Sequence, residues 1–272
     1  MKAAGFDTFP KNTDDFLKLL KALKEKGTPA GMALGNATGD GLWCNWLMWS
    51  HGGMLVDKNN KVVIDSPETL KALEYAKEMY ATFIPGTLSW LDPNNNKAFL
   101  DSQISLTNNG ISIYYATKNS TDEKVRALKD DIFHAPYPVG PVGVPTESHL
   151  FFNQMVMKYT KYPLAAKEFL RFMMEQEQFD PWLTGAGGYI AQPLAGYEKT
   201  AVWTADPKHT PYRDAVKNMR PAGYAGRLGY ASAGAGADFI IVNMVAEAAS
   251  GSKTPKEAAE RAQKRAERYY KV

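Results

Sequence analysis

Cysteine is almost absent from this sequence: Cys44 stands alone among 272 residues. An internal disulfide is therefore excluded, and so is any metal site built on several thiolates. One thiol suits a cytosolic protein and equally a periplasmic one that never needed a disulfide. No apolar run reaches about 18 residues, so nothing reads as a membrane span. A basic segment followed by an apolar one is missing from the start, so this chain shows no signal peptide. The opening Lys2-Ala3-Ala4-Gly5-Phe6 reads like the interior of a protein. There is no concentrated basic face either. Net charge is +3, with Lys and Arg interleaved with Asp and Glu. Even the basic tail from Lys253 to Lys271 carries Glu257, Glu260 and Glu267. That is a solvated helix face, not a nucleic-acid surface. The catalytic signatures Gly-x-Gly-x-x-Gly, P-loop, His-Glu-x-x-His and Gly-x-Ser-x-Gly are all lacking. His51, His134, His149 and His209 are too dispersed to hold a metal on one helix face.

What is present is an ordinary globular composition, 44% apolar and 22% charged, in a length that supports one large domain or two moderate ones. Asn12 and Thr13 are capping types ahead of Phe16, Leu19, Leu20 and Leu23, which predicts a helix that closes at Gly27. Ala30–Leu34 reads as a buried strand. A tryptophan-rich helix is expected from Gly41 to Trp49. The Asp57-Lys58-Asn59-Asn60 stretch predicts a hairpin turn between Met54–Val56 and Val62–Ile64. Ser66-Pro67 and Asp92-Pro93 each place a cap before a helix-starting proline. Further strands are expected at Ile104–Thr107, Ile132–Ala135 and Leu150–Met157, and helices at Pro163–Met174 and Ala231–Ser250. Pro136–Pro145 reads as a connector. Thr254-Pro255-Lys256-Glu257 is a capping box that opens a last helix toward Tyr269. Alternating strands and helices predict an α/β architecture.

Three clusters carry candidate chemistry. Trp43, Trp46 and Trp49 recur every third residue behind Gly39-Asp40-Gly41. A flat ring can stack on the C–H face of a pyranose while nearby Asp, Asn and Ser take its hydroxyls. Core filling is the competing reading. On the sugar reading, Asp40 and Trp43, nearest the helix start, are the contacts, and Trp46 and Trp49 belong to the core. The second cluster is Asn108-Asn109-Gly110-Ile111-Ser112 followed by Ile113-Tyr114-Tyr115, where a strand end meets a polar, aromatic turn; an ordinary Asn-Gly turn is the alternative. The third is Leu228-Gly229-Tyr230-Ala231-Ser232, where a loop enters a helix and offers unpaired N–H groups. A plain helix cap is its alternative. Paired carboxylates for glycoside hydrolysis need a set separation. A carbohydrate-active hydrolase therefore stands as the alternative function.

In order along the chain, these segments resemble family 1 extracellular solute-binding proteins, the maltose-binding-protein-like sugar receptors of ABC importers. The stretches that carry the resemblance are Phe9-Pro10-Lys11-Asn12-Thr13-Asp14-Asp15-Phe16, Trp46-Leu47-Met48-Trp49-Ser50-His51-Gly52-Gly53, Ala98-Phe99-Leu100 with Asn109-Gly110, Ala165-Ala166-Lys167-Glu168-Phe169-Leu170, and Ala248-Ala249-Ser250-Gly251-Ser252-Lys253-Thr254-Pro255-Lys256-Glu257-Ala258. The resemblance implies a periplasmic-binding-protein-like α/β fold with two lobes around a sugar. One lobe would be nearly complete here, from 1–144 and 204–272. The other would be partial, its returning part at 145–203. A full receptor would carry roughly a hundred or more residues before Gly5. Leu150, Phe151, Phe152, Met155 and Val156 would then be underpacked. The implied contacts are Asp40, Trp43, Asn109, Gly110, Ser112, Tyr230 and Ser232, with Trp90 at the rim. Ser112 stands where maltodextrin binders often carry an aromatic, a departure from a long-glucan site. The implied function is reversible sugar or polyol capture, without catalysis, metal or cofactor, and delivery to ABC permease membrane subunits. The location is periplasmic or extracellular, with no membrane insertion by this chain and no nucleic-acid partner.

Overall fold

A computed structural model describes residues 1–150 and 152–271, apart from the side chain of Asp40. Phe151 lies outside the described residues. The chain divides into two compact units. One comprises Met1–Asn109, Ala135–His149 and Asn218–Val272; the other comprises Gly110–His134 and Leu150–Lys217.

In the first unit, local sequence signals become structure directly. The Asn12 side chain accepts from the Asp15 N–H at 2.9 Å and starts the Thr13–Glu25 helix. Asp14 and Asp15 sit where the helix dipole favours negative charge. Phe16, Leu19, Leu20 and Leu23 fall on one face, and all are buried. Each such burial contributes about 1.5–3 kcal/mol, so this stripe sets which face meets the core. Ser66 caps Pro67–Tyr80 in the same manner, accepting from the Thr69 N–H at 3.2 Å. Thr254 and Glu257 complete the capping box of Pro255–Ala266. That helix presents Ala258, Ala259, Ala262 and Ala266, small enough to let the Ile240–Ser250 helix approach closely. Ile240–Ser250 in turn packs on Pro67–Tyr80.

Strand structure is sparse. Ala30 bridges Phe83 and Leu106 in parallel, and Val56 bridges Val62 antiparallel across the predicted hairpin. The named strands, Glu147–Ser148 and Met219–Arg220, form a parallel pair. Ile132–Ala135 is not a strand. The expected long helix Ala231–Ser250 is two helices, Tyr230–Ala237 and Ile240–Ser250, because Phe239 takes a left-handed conformation at φ 49°. Gly234 and Gly236 weaken the first of these by about 1 kcal/mol each relative to alanine.

The second unit is helical: Ser112–Asn119, Glu123–Asp131, Pro163–Met173 and Gln176–Gly185, then short turns to Lys217. Its core is small and aromatic, built on Phe179, Leu183, Tyr197, Val202 and Trp203. Pro163–Met173 buries none of its residues. Arg171 pairs with Glu168 in that helix and with Glu175 just beyond its end. Phe169 and Phe172 of the same helix remain 59% and 42% exposed. Leu150 and residues 152–157 form no strand and no helix. Leu150, Phe152 and Met155 are exposed accordingly, and Val156 is half-buried.

Candidate functional site

The structure separates the predicted site residues into three groups. Trp43 belongs to the first and corrects the expectation. Its ring has no exposed surface, sits edge-on to Phe83 at 6.0 Å, and its Nε1–H donates to the Ala33 carbonyl at 2.8 Å. A ring sealed by protein on every side cannot stack on a sugar. The physical reason lies in the helix itself. Every residue of Trp43–Ser50 is buried, and a largely apolar helix enclosed on all sides belongs to the interior. Ser232 is a second correction. It is buried, its hydroxyl accepts from the Gly229 N–H at 2.9 Å and donates to the Gly229 carbonyl at 2.9 Å, so it is consumed in shaping its own loop. Asp40 opens a single 3-10 turn, Asp40–Leu42, and its side chain lies outside the described residues.

Trp90, Asn109 and Tyr230 form the second group, all in the first unit and all reaching its surface. Trp90 is half-buried, its ring lying on Gly31, where an added Cβ would come within 2.7 Å of the ring. The Trp90 carbonyl accepts from the Gly35 N–H at 3.1 Å. Two residues on, the Asp92 carboxylate accepts from the Thr38 and Gly39 N–H groups, each at 3.2 Å. The Gly35 segment, the Trp90 loop and the turn before Trp43 are thus tied together. Tyr230, the first residue of its helix, is fully exposed. Asn109 is half-buried, and its amide donates to Asn96 Oδ1 at 2.8 Å.

Gly110 and Ser112 belong to the second unit. Gly110 is exposed, whereas Ser112 is half-buried at the first turn of Ser112–Asn119. The segment after Asn109-Gly110 is therefore a helix start and not a strand-end loop.

Around Asn109 the structure assembles residues that the sequence did not single out. Asn95 is fully buried and donates to the Asn108 carbonyl at 3.0 Å. The Tyr137 hydroxyl donates to Asn108 Oδ1. The Tyr137 ring stacks on Trp46 at 4.9 Å and 13°, and Trp46 is itself anchored by its Nε1–H to the Pro138 carbonyl at 3.0 Å. Amide groups and a half-buried phenol thus meet on an aromatic base, the combination that suits a polyhydroxylated ligand. The sequence signals were available: three asparagines at 94–96, Asn108-Asn109, and a tyrosine inside the proline-rich connector.

A second polar group lies on the Glu147–Ser148 and Met219–Arg220 strands. Asn45 donates to the Ser148 hydroxyl at 3.4 Å, and its Oδ1 is buried with no partner among the described residues. Glu147, also buried, meets His149 Nε2 at 2.8 Å. Arg220 donates to the Tyr224 hydroxyl at 3.0 Å and stacks on its ring at 4.7 Å. The run Thr146-Glu147-Ser148-His149, polar yet placed before an apolar stretch, was the sequence clue to this group.

Titration shifts mark packing elsewhere. Burial pulls the His51 imidazole below its usual range, against the opposing pull of the Leu47 carbonyl. Burial does the same to His134, opposed by the Lys208 carbonyl. Burial also pushes the Tyr114 phenol up, helped by its 2.7 Å hydrogen bond to Asp206. Among the described residues there is no group of three or more His, Cys, Asp or Glu able to hold a metal, and no helix is long and apolar enough to cross a membrane.

These features sit on a fold shared with periplasmic sugar receptors. The maltose-bound MalE3 of T. maritima superposes with a TM-score of 0.75 at 20% identity, covering 98% of this chain and 67% of the other. A laminaribiose-bound sugar transporter protein of Arthrobacter chlorophenolicus gives 0.79 at 19% identity, covering 98% and 66%. A probable ABC transporter-binding protein of Deinococcus radiodurans is 22% identical over 187 residues, which is 65% of this chain and 44% of the relative. The chain thus spans less than half the length of that relative. Residues 1–211 match the bacterial extracellular solute-binding proteins, and the chain belongs to that family.

Proposed function

We propose that this chain serves as the ligand-capturing part of the substrate-binding component of a bacterial ABC importer. It takes up a sugar or related polyol reversibly outside the cytoplasm and hands it to the permease subunits in the membrane. The observation that carries this reading is the asparagine–tyrosine group of Asn95, Asn96, Asn108, Asn109 and Tyr137, seated on Trp46 with the Trp90 ring in the same unit. Amides donate and accept at once, which matches sugar hydroxyls that do the same. Proteins of similar fold carry bound sugars or a sugar alcohol: maltose in one, laminaribiose in another, D-mannitol in a third. Trp90, Asn109, Gly110, Ser112 and Tyr230 are retained as proposed contacts, as is Asp40. Trp43 and Ser232 are withdrawn. The lobe assignment, 1–144 with 204–272 against 145–203, is retained as a proposal beside the compact units.

The reading is of a receptor and not a catalyst, so ligand should be recovered unchanged. Saturation-transfer NMR on the chain with a panel of mono- and disaccharides tests it at millimolar concentrations. Saturable binding without turnover is expected. Asn109→Ala and Tyr137→Phe should each weaken it roughly five- to tenfold, the worth of one hydrogen bond at about 1 kcal/mol. Absence of saturable binding to every sugar would end the proposal.

A further inference from the structure

Burying a charge without a partner is costly, and proteins pair such charges or leave them for a ligand. Arg213 and Arg265, both half-buried, have Asp214 and Asp238 at 2.9 Å. Arg220 is also half-buried, yet no carboxylate lies within ion-pair distance of it among the described residues. One of its N–H groups goes to the Tyr224 hydroxyl at 3.0 Å. Its other N–H groups have no protein acceptor among those residues. The guanidinium is nonetheless held, because its Cζ lies over the Tyr224 ring at 4.7 Å, and that ring is itself fixed edge-on to Trp49 at 5.2 Å.

Strand register explains why Glu147 does not neutralise it. Side chains alternate across a strand, and paired residues on adjacent strands share a face. Arg220 pairs with Ser148, so the two share a face with Asn45, which reaches Ser148 from its helix. Glu147 pairs with Met219 and points the other way, to His149. The Arg220 face therefore offers a fixed planar cation, a hydroxyl and an amide, with no acid of its own.

We propose that Arg220 reads a carboxylate on the ligand, and that the captured solute is an acidic sugar of the uronate type. A guanidinium fork matches the two oxygens of a carboxylate in a planar, two-bond pairing. This rests on the sugar-receptor reading and narrows it to anionic members of that class.

The test compares D-glucuronate and D-galacturonate with D-glucose, D-galactose and glucose 6-phosphate, by NMR titration of the chain. The uronates are expected to bind at least tenfold tighter than their neutral counterparts, with the preference falling at 0.5 M salt, on the order of a 4 Å Debye length. Arg220→Gln should abolish the preference, a loss of at least tenfold in the ratio of uronate to neutral-sugar affinity, which is about 1.4 kcal/mol. Arg220→Lys, which keeps the charge without the fork, should retain only part of it and guards against a folding defect in the first variant. Equal or better binding of the neutral sugars overturns the inference and leaves the receptor reading standing. So does a preference that survives Arg220→Gln. Tighter binding of the sugar phosphate overturns the carboxylate assignment. Silence toward every sugar overturns the receptor reading, and this inference with it.

Discussion

Replacing Trp43 by alanine should unfold much of the first unit without directly removing a ligand contact. The ring is fully enclosed, and a buried Trp→Ala change costs about 3–5 kcal/mol in transfer and cavity terms. The substitution also strands the Ala33 carbonyl, which receives the indole N–H at 2.8 Å; a buried acceptor left unpaired costs roughly 1–3 kcal/mol more. Together these approach the whole stability of a typical domain, about 5–15 kcal/mol. Trp43→Phe separates the two effects. It keeps most of the packing against Phe83 and loses only the hydrogen bond, so it should cost roughly 1–3 kcal/mol. Urea denaturation followed by far-UV circular dichroism reads both values. If Trp43→Ala lost less than about 1 kcal/mol while sugar binding vanished, the ring would be a ligand platform after all.

The remaining predictions concern caps, protons and surface. Thr254→Ala breaks the reciprocal Thr254–Glu257 bonds and should cost about 1 kcal/mol in the same denaturation assay; no change would mean the terminal helix does not depend on its cap. His51 and His134 both have folded pKa values below the ordinary imidazole value. Their contribution is therefore complete above about pH 6.5 and is lost as pH falls through the lowered folded values. The thermal midpoint should drop on acidification across that window, and His51→Gln with His134→Gln should flatten the profile; a wild-type midpoint that holds steady down to pH 5 contradicts this. Phe169→Lys, on the bare side of Pro163–Met173, should change stability by no more than about 0.5 kcal/mol and lower binding of a hydrophobic dye. A loss above 2 kcal/mol would show that this face is covered.

Elements with signals at both ends were legible in the sequence. Asn12 and Gly27 bracket the first helix, and Thr254-Pro255 opens the last; in each the cap chemistry acts locally and needs no tertiary context. Misreadings arose where a signal was ambiguous without its surroundings. Asn109-Gly110 reads as a turn at a strand end, but the residues after it form a helix within a different compact unit. Leu150–Met157 has the composition of a strand, and strand structure requires a neighbour to pair with. Trp46 and Trp49 lie in the core, as their distance from the helix start suggests, and Trp43 joins them there against expectation. Its place nearest the helix start favours a ligand contact, whereas every residue around it in the helix is buried. Family resemblance was recoverable because the motif order follows the chain, which survives at low identity. The Arg220–Ser148 pairing joins residues 72 positions apart and depends on register, which no local motif encodes.

The close approach at Gly31 gives one aromatic edge of the first unit an unusual handle. The Trp90 ring occupies space that any methyl group at position 31 would claim, so its tilt is set by a residue with no side chain at all. Exchanging Gly31 for alanine would lever the indole outward while leaving its chemistry intact. The orientation of this ring can thus be varied from beneath, separately from its presence.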